Sequence, residues 1–216
     1  MQSLAPRGRQ LAIGLAALAG FVDGVGFLTA DGYFVSFMSG NTTRLAVDIA
    51  TNARAAALPA LLIAGFTCGV FIGAVVALRS GRWQARNVAA LAAVLLVGAA
   101  FADYAGSFAL TLGGLVLAMG ALNNCFQREG SSSFGLTYMT GALVRFGQGL
   151  AYRLHGRAAP GFLGLLALWA ALGGGALIGA LAHKHFGESS VAMAAGLACL
   201  AVVAAAAAGP DQRDQV

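Results

Sequence analysis

The feature that most constrains this chain is a succession of apolar runs, each close to the thickness of a bilayer when helical. They fall at about 10–30, 58–78, 88–104, 107–127, 161–182 and 189–208. A transmembrane helix takes about 20 residues, so these six runs read as spanning or nearly spanning helices. The connections are short, the most polar lying around Arg79–Asn87 and Glu129–Ser133. Charge agrees: 10% of the 216 residues are charged, where a soluble domain carries roughly a quarter. Thirteen basic and eight acidic residues cannot dress a water-soluble body of this size. The expected fold class is all-α, a polytopic membrane protein with residues 1–216 forming one integral membrane domain.

Two further segments, about 34–52 and 135–152, are helical in pattern but carry Ser39-Gly40-Asn41-Thr42-Thr43-Arg44 and Thr140-Gly141 with Arg145. Such polar groups are tolerated in a membrane where backbone is buried in protein or lines a cavity. Laid on itself at an offset of 101, the chain puts Ser36–Ala46 over Thr137–Gly147, with Met, Gly and Arg coinciding. At an offset of 106, Gly69 and Gly73 fall over Gly175 and Gly179. Two matches in the same order argue for an internal repeat, about 10–104 and 107–208. The repeat pairs 10–30 with 107–127, so the first run reads as an integral helix and not as a cleaved signal peptide, despite Arg7, Arg9 and Ala17-Leu18-Ala19.

Basic residues discriminate between topologies. With eight crossing segments and a cytoplasmic N-terminus, six basic residues fall inside and five outside, which is no asymmetry. With the two motif segments broken or re-entrant, nine fall inside and only Arg54 and Lys184 outside, as the positive-inside rule requires. The expectation is therefore six transmembrane helices plus two motif-bearing helices, eight spanning helices being the alternative. Each half then crosses three times, giving inverted topology as in many secondary transporters. The expectation is a multi-pass membrane protein with its N-terminus cytoplasmic.

Arg44 and Arg145 occupy matching positions in apolar surroundings, and an intramembrane charge marks a functional site or a structural ion pair. Asp48 lies one helical turn from Arg44 and could neutralise it. Asp23 could serve Arg145 or bind a proton, and the alignment places Asn124 opposite it. Ser39, Asn41 and Thr42 read as the cap of a helix that begins inside the membrane, a place that favours anions. In the second half the polar set is Asn123, Asn124, Gln127 and Arg128, which could line a pathway or mark where a helix leaves lipid. The candidate substrate-binding set is thus Asp23, Ser39, Asn41, Thr42, Arg44, Asn124, Gln127 and Arg145.

No catalytic residue or motif, metal site or cofactor is expected, and the chain does not read as an enzyme. His183-Lys184-His185 and His155 stand among positive charges, which disfavours a metal. Cys68, Cys125 and Cys199 stand alone and read as packing residues. The basic excess reflects loop topology, so no nucleic-acid partner is expected; the partners are the bilayer and an unknown small solute. Glycines at 65, 69 and 73 and at 175 and 179 form stripes that admit close helix contact. These serve packing between the halves in preference to oligomerisation. Trp83, Tyr104 and Tyr152 fit the aromatic belt.

The stretch Gly20-Phe21-Val22-Asp23-Gly24-Val25-Gly26-Phe27, followed by Phe34 to Arg44, resembles the YoaK-type family of bacterial multipass membrane proteins, a family of unknown function. Gly120 to Arg128 with Thr137-Tyr138-Met139-Thr140-Gly141 resembles that family's second signature, with Asn123-Asn124-Cys125 standing where a Gln-Asn-Ala-like stretch is usual. The resemblance implies a bacterial cytoplasmic membrane location and one domain along the chain, and it implies no reaction. The residues point to a transporter or channel for a small solute, anionic solutes among the candidates, with its site at the repeat interface. The alternative is a non-transporting structural or regulatory partner of another complex.

Overall fold

The computed structural model describes residues 6–126, 137 and 139–210. They form eight α-helices and no strand: α1 (Pro6–Thr29), α2 (Met38–Thr51), α3 (Ala57–Ser80), α4 (Gln84–Tyr104), α5 (Phe108–Leu122), α6 (Met139–Leu154), α7 (Phe162–Phe186) and α8 (Ser189–Ala208). Pro6–Thr29, Ala57–Tyr104, Phe162–Phe186 and Ser189–Ala208 are long and apolar enough to cross a bilayer, the second of these comprising α3 and α4, and α5 is a shorter apolar helix. Large apolar side chains such as Leu61, Phe71, Val94, Phe101 and Leu177 lie on the outside, where lipid solvates them. The chain is an all-α, multi-pass membrane protein.

Several boundaries shift by a few residues from the sequence expectation, and two of the shifts have a clear local cause. The run 107–127 stops being helical after Leu122, because Asn123 donates from Nδ2 to the Met119 carbonyl (2.9 Å) and the chain turns through Asn124 and Cys125. The run 34–52 becomes helical only at Met38, because residues 34–37 are held by side chains of α1 and α2.

Helix directions follow from contacts between named residues. Gly175 lies against Ala17 and Gly179 against Phe21, so α1 and α7 are parallel. Gly69 lies against Leu117 and Gly73 against Ala121, so α3 and α5 are parallel. Gln84, at the start of α4, donates to the carbonyl of Asn124 just beyond α5 (2.8 Å), making α4 and α5 antiparallel. Asp103, at the other end of α4, is within electrostatic reach of His183 and Glu188, where α7 turns into α8. Helices α1, α4 and α7 therefore point one way and α3, α5 and α8 the other. Since α1 ends and α3 begins at the same end of the bundle, α2 returns to the end it left. The same holds for α6, between α5 and α7, at the opposite end. The two motif helices do not traverse the bundle.

In a bilayer there is little hydrophobic drive to bring helices together, so close packing must supply it. The glycine stripes do so within the chain. At Gly69, Gly73, Gly175 and Gly179 the neighbouring helix backbone occupies the space of a missing Cβ. Leu15, Val22, Leu96, Leu115, Met119 and Val191 are fully buried between the helices. The packing partners fall into matched pairs: α1 with α7 and α5 with α3; α2 with α3 and α6 with α7; α4 with α5 and α8 with α1. Of the cysteines, Cys125 is buried, whereas Cys68 and Cys199 face outward and fill no core space; none is in a disulfide.

Candidate functional site

Within the stretch Gly20 to Phe27, two glycines admit α7, and Asp23, Gly26 and Phe27 meet the chain where it doubles back after α1. Gly20 and Gly24 lie against the backbone of Leu172 and Ala176 of α7, leaving no room for a side chain. Asp23, three residues after Gly20 and next to Gly24, points elsewhere. Its Oδ1 accepts the backbone amides of Val35 (3.1 Å) and Ser36 (2.9 Å). Six residues separate Asp23 from the end of α1, so the segment after α1 dips back along it by about 9 Å at 1.5 Å per residue. Gly26 makes this possible, since a Cβ there would meet the Val35 side chain at 2.7 Å. Phe27, Phe34 and Phe37 then pack ring against ring, tilted and then edge-to-face, with centroids 4.8 and 5.3 Å apart. The result is a short re-entrant segment whose tip is pinned to a carboxylate.

Asn41 completes the tip. Fully buried, it donates from Nδ2 to the Phe34 carbonyl (2.6 Å) and accepts the Phe34 amide on Oδ1 (2.9 Å). Both polar ends of its side chain are thus engaged by backbone, and it staples the tip to α2. Ser39 and Thr42 do not cap the helix as expected: the N-cap is Phe37, without a side-chain hydrogen bond. The helix begins one residue before Ser39, which puts all three residues in its first turns. Thr42 donates back to the Met38 carbonyl (2.8 Å) and Thr43 to that of Ser39 (3.3 Å), a satisfaction open to hydroxyls inside a helix. Ser39 is exposed.

Arg44 lies elsewhere than in mid-bundle. Climbing away from the tip, α2 brings its guanidinium beside Gly32, just past the end of α1, where a Cβ would meet Nη2 at 3.0 Å. The charge stands near the carbonyl end of α1, which favours a cation, and lies over the Tyr33 ring at 5.1 Å. Asp48 does not pair with it. Its Oδ2 accepts the Tyr33 hydroxyl at 2.8 Å, so the tyrosine stands between the two charges. Arg145 is exposed on α6, which packs chiefly on α7, as α2 packs chiefly on α3. The two arginines are therefore on separate flanks and are not brought together between the halves. Asp23 is occupied by the tip of its own half and does not serve Arg145.

A second anchor of similar form stands just past the end of α5. Asn123 Oδ1 accepts the Thr137 amide (3.2 Å) and the Thr137 hydroxyl (3.1 Å), as Asp23 accepts the Ser36 amide. The geometric counterpart of Asp23 is therefore Asn123 and not Asn124. The helix contacts require an offset of 100 here, Ala17 and Phe21 matching Leu117 and Ala121, one less than the motif alignment. Asn124 corresponds to Gly24, and its buried amide donates to the Val70 carbonyl (3.1 Å) on α3. In sequence Asn123 reads as one of the pathway residues; the one-residue slip is visible only once the helix pairs are known. Gln127 and Arg128 lie outside the described residues. At the far end of α7, His183 Nδ1 is 3.1 Å from the Ser190 hydroxyl, and no cluster of metal-ligating side chains occurs among the described residues.

Comparison with known proteins agrees with this picture of a membrane protein. The chain is similar to a UPF0700 transmembrane protein of Rhizobium meliloti (strain 1021), 34% identical over 204 residues that cover 92% of this chain and 86% of the relative. No solved structure matches. Residues 11–205 match the family model described as protein of unknown function (DUF1275), and a match across nearly all of the helical bundle makes this chain a member of the DUF1275 family.

Proposed function

We propose that this protein is a secondary transporter or channel for a small solute, built from two inverted, duplicated halves in a bacterial cytoplasmic membrane with its N-terminus inside. The observation that carries the reading is the pair of helices, α2 and α6, that turn back to the ends of the bundle they left. They enter from opposite ends of the bundle, each with its start tied to a side-chain oxygen near the end of the preceding helix, Asp23 in one half and Asn123 in the other. Discontinuous helices in inverted repeats are the architecture on which secondary transporters build solute and ion sites. The matched packing of the helices supports the duplication. In this reading Asp23 carries the coupling proton, because its counterpart Asn123 has the same shape and cannot titrate. Arg44, at the mouth of the first re-entrant segment, and Arg145, at the matching place in α6, draw in an anionic solute. No catalytic role is assigned.

Orientation follows from charge. Among the described residues, the end where α1 and α7 begin carries Arg7, Arg9, Arg79, Arg82, Arg86, Arg153 and Arg157 and no carboxylate. The opposite end carries Asp31, Asp48, Asp103 and Glu188. The arginine-rich end is cytoplasmic by the positive-inside rule. A cysteine at Arg82 is expected to react with an impermeant maleimide only after the membrane is opened, and one at Glu188 in intact cells. The reverse pattern would invert the molecule.

The decisive experiment is flux in proteoliposomes across a panel of small organic and inorganic anions, cations and neutral solutes. Arg44→Ala and Arg145→Ala are expected to lower uptake of the transported solute at least tenfold while the protein stays folded. Wild-type liposomes indistinguishable from empty ones across the panel would favour a structural or regulatory membrane partner instead.

A further inference from the structure

We infer that the groove between the starts of α1 and α7 is a binding site for the headgroup of an anionic phospholipid. The groove has a volume of about 680 Å³, is open to the outside, and is lined by Pro6, Arg9, Gln10, Ile13, Gly161 and Gly164, with Pro160. Its shape comes from the sequence. Gly161 has φ of 72° at the start of α7, where a side chain would be strained, and Gly164 one turn on likewise offers no side chain to fill the space. The parallel run of α1 and α7 places both helix starts at one level, so the groove opens at the boundary between hydrocarbon and water. Its lining is apolar at Ile13 and the prolines, which suits an acyl chain, and its polar groups are Arg9 and Gln10.

Charge selects the occupant. Arg9 projects at the groove, Arg7 adjoins it on α1, and Arg153 lies over the ring of Phe162, the first residue of α7 (5.9 Å). No carboxylate stands at this end of the bundle among the described residues. A guanidinium matches a phosphate oxygen pair in geometry as well as in charge, and basic pockets between transmembrane helices on the cytoplasmic side suit anionic headgroups. A zwitterionic lipid would bring its own cation against these arginines. The occupant is therefore an anionic phospholipid of the surrounding leaflet, held at the joint between the two most closely packed helices of opposite halves.

The full-length protein, purified in mild detergent, is titrated with phosphatidylglycerol or phosphatidylcholine and read by native mass spectrometry, with sn-glycerol 3-phosphate as a soluble headgroup control. Wild type is expected to retain phosphatidylglycerol in preference to phosphatidylcholine, and the soluble headgroup not at all. Arg9→Gln is expected to weaken phosphatidylglycerol retention about fivefold, the effect of one basic residue near an anionic headgroup. Gly164→Trp, which fills the groove, is expected to abolish it. Arg82→Gln, at the same end of the bundle but on the α3–α4 turn, is expected to change nothing. Equal retention of the two lipids by wild type would overturn the assignment. So would an Arg82→Gln loss as large as that of Arg9→Gln, since the effect would then be diffuse surface charge. If Gly164→Trp does not fold, Arg9→Gln against Arg82→Gln still decides.

Discussion

Asp23→Ala is expected to destabilise the protein by about 3 kcal/mol, and Asp23→Asn by less than about 1 kcal/mol. The alanine removes the acceptor of two backbone amides, those of Val35 and Ser36, in a place where water cannot freely replace it. Leaving a buried donor unpaired costs about 1–3 kcal/mol. Asparagine keeps Oδ1 as an acceptor, and the protein already uses that solution at Asn123, whose Oδ1 holds Thr137. Thermal unfolding in detergent separates the two variants, and equal losses would show that the carboxylate charge matters more than the anchor. Function is expected to divide differently. If Asp23 carries the coupling proton, Asp23→Asn folds but loses the dependence of uptake on a pH gradient. A folded Asp23→Asn protein with unaltered coupling would reduce Asp23 to a structural anchor.

Gly175→Ala is expected to cost about 3 kcal/mol, against no loss or a gain of up to about 1 kcal/mol for Gly173→Ala on the same helix. A Cβ at Gly175 would collide with the Ala17 backbone, whereas nothing lies within 4 Å of one at Gly173. Overpacking of a well-filled contact costs about 1–3 kcal/mol when side chains can adjust, and here the obstacle is backbone, which yields less. At Gly173 only the helix preference of alanine over glycine remains, about 1 kcal/mol. Gly69→Ala should behave like Gly175→Ala, because Leu117 backbone stands in the same relation to it. Melting temperatures of the three variants and wild type in one detergent test this directly. A harmless Gly175→Ala would mean that α1 and α7 are not in backbone contact.

The helices themselves were largely legible. Runs of apolar residues and the glycine spacing are local patterns, and α8 matches its expected bounds of 189–208. The motif segments were legible as exceptional, since Ser39 to Arg44 is too polar for a lipid-facing helix. What they do was not. Asn41 reads as a cap or a ligand in sequence, yet both its polar atoms are engaged by Phe34, a residue whose identity tells nothing about its backbone. Arg44 reads as intramembrane because its neighbours in sequence are apolar. Its depth is set by how far the chain dips after α1, and that depends on the reach of Asp23.

By itself, the sequence determined that the chain belongs in a bilayer, how many helices it forms, and that two matching segments are special. These follow from hydrophobicity and periodicity, which act over one or two helical turns. Only the tertiary structure decided the directions of the helices, the return of α2 and α6 to the ends they left, and that Asn123, not Asn124, holds Thr137 as Asp23 holds Ser36. Each depends on contacts between residues far apart in the chain, where glycine lets backbones meet and one side-chain oxygen holds an amide of the segment that doubles back.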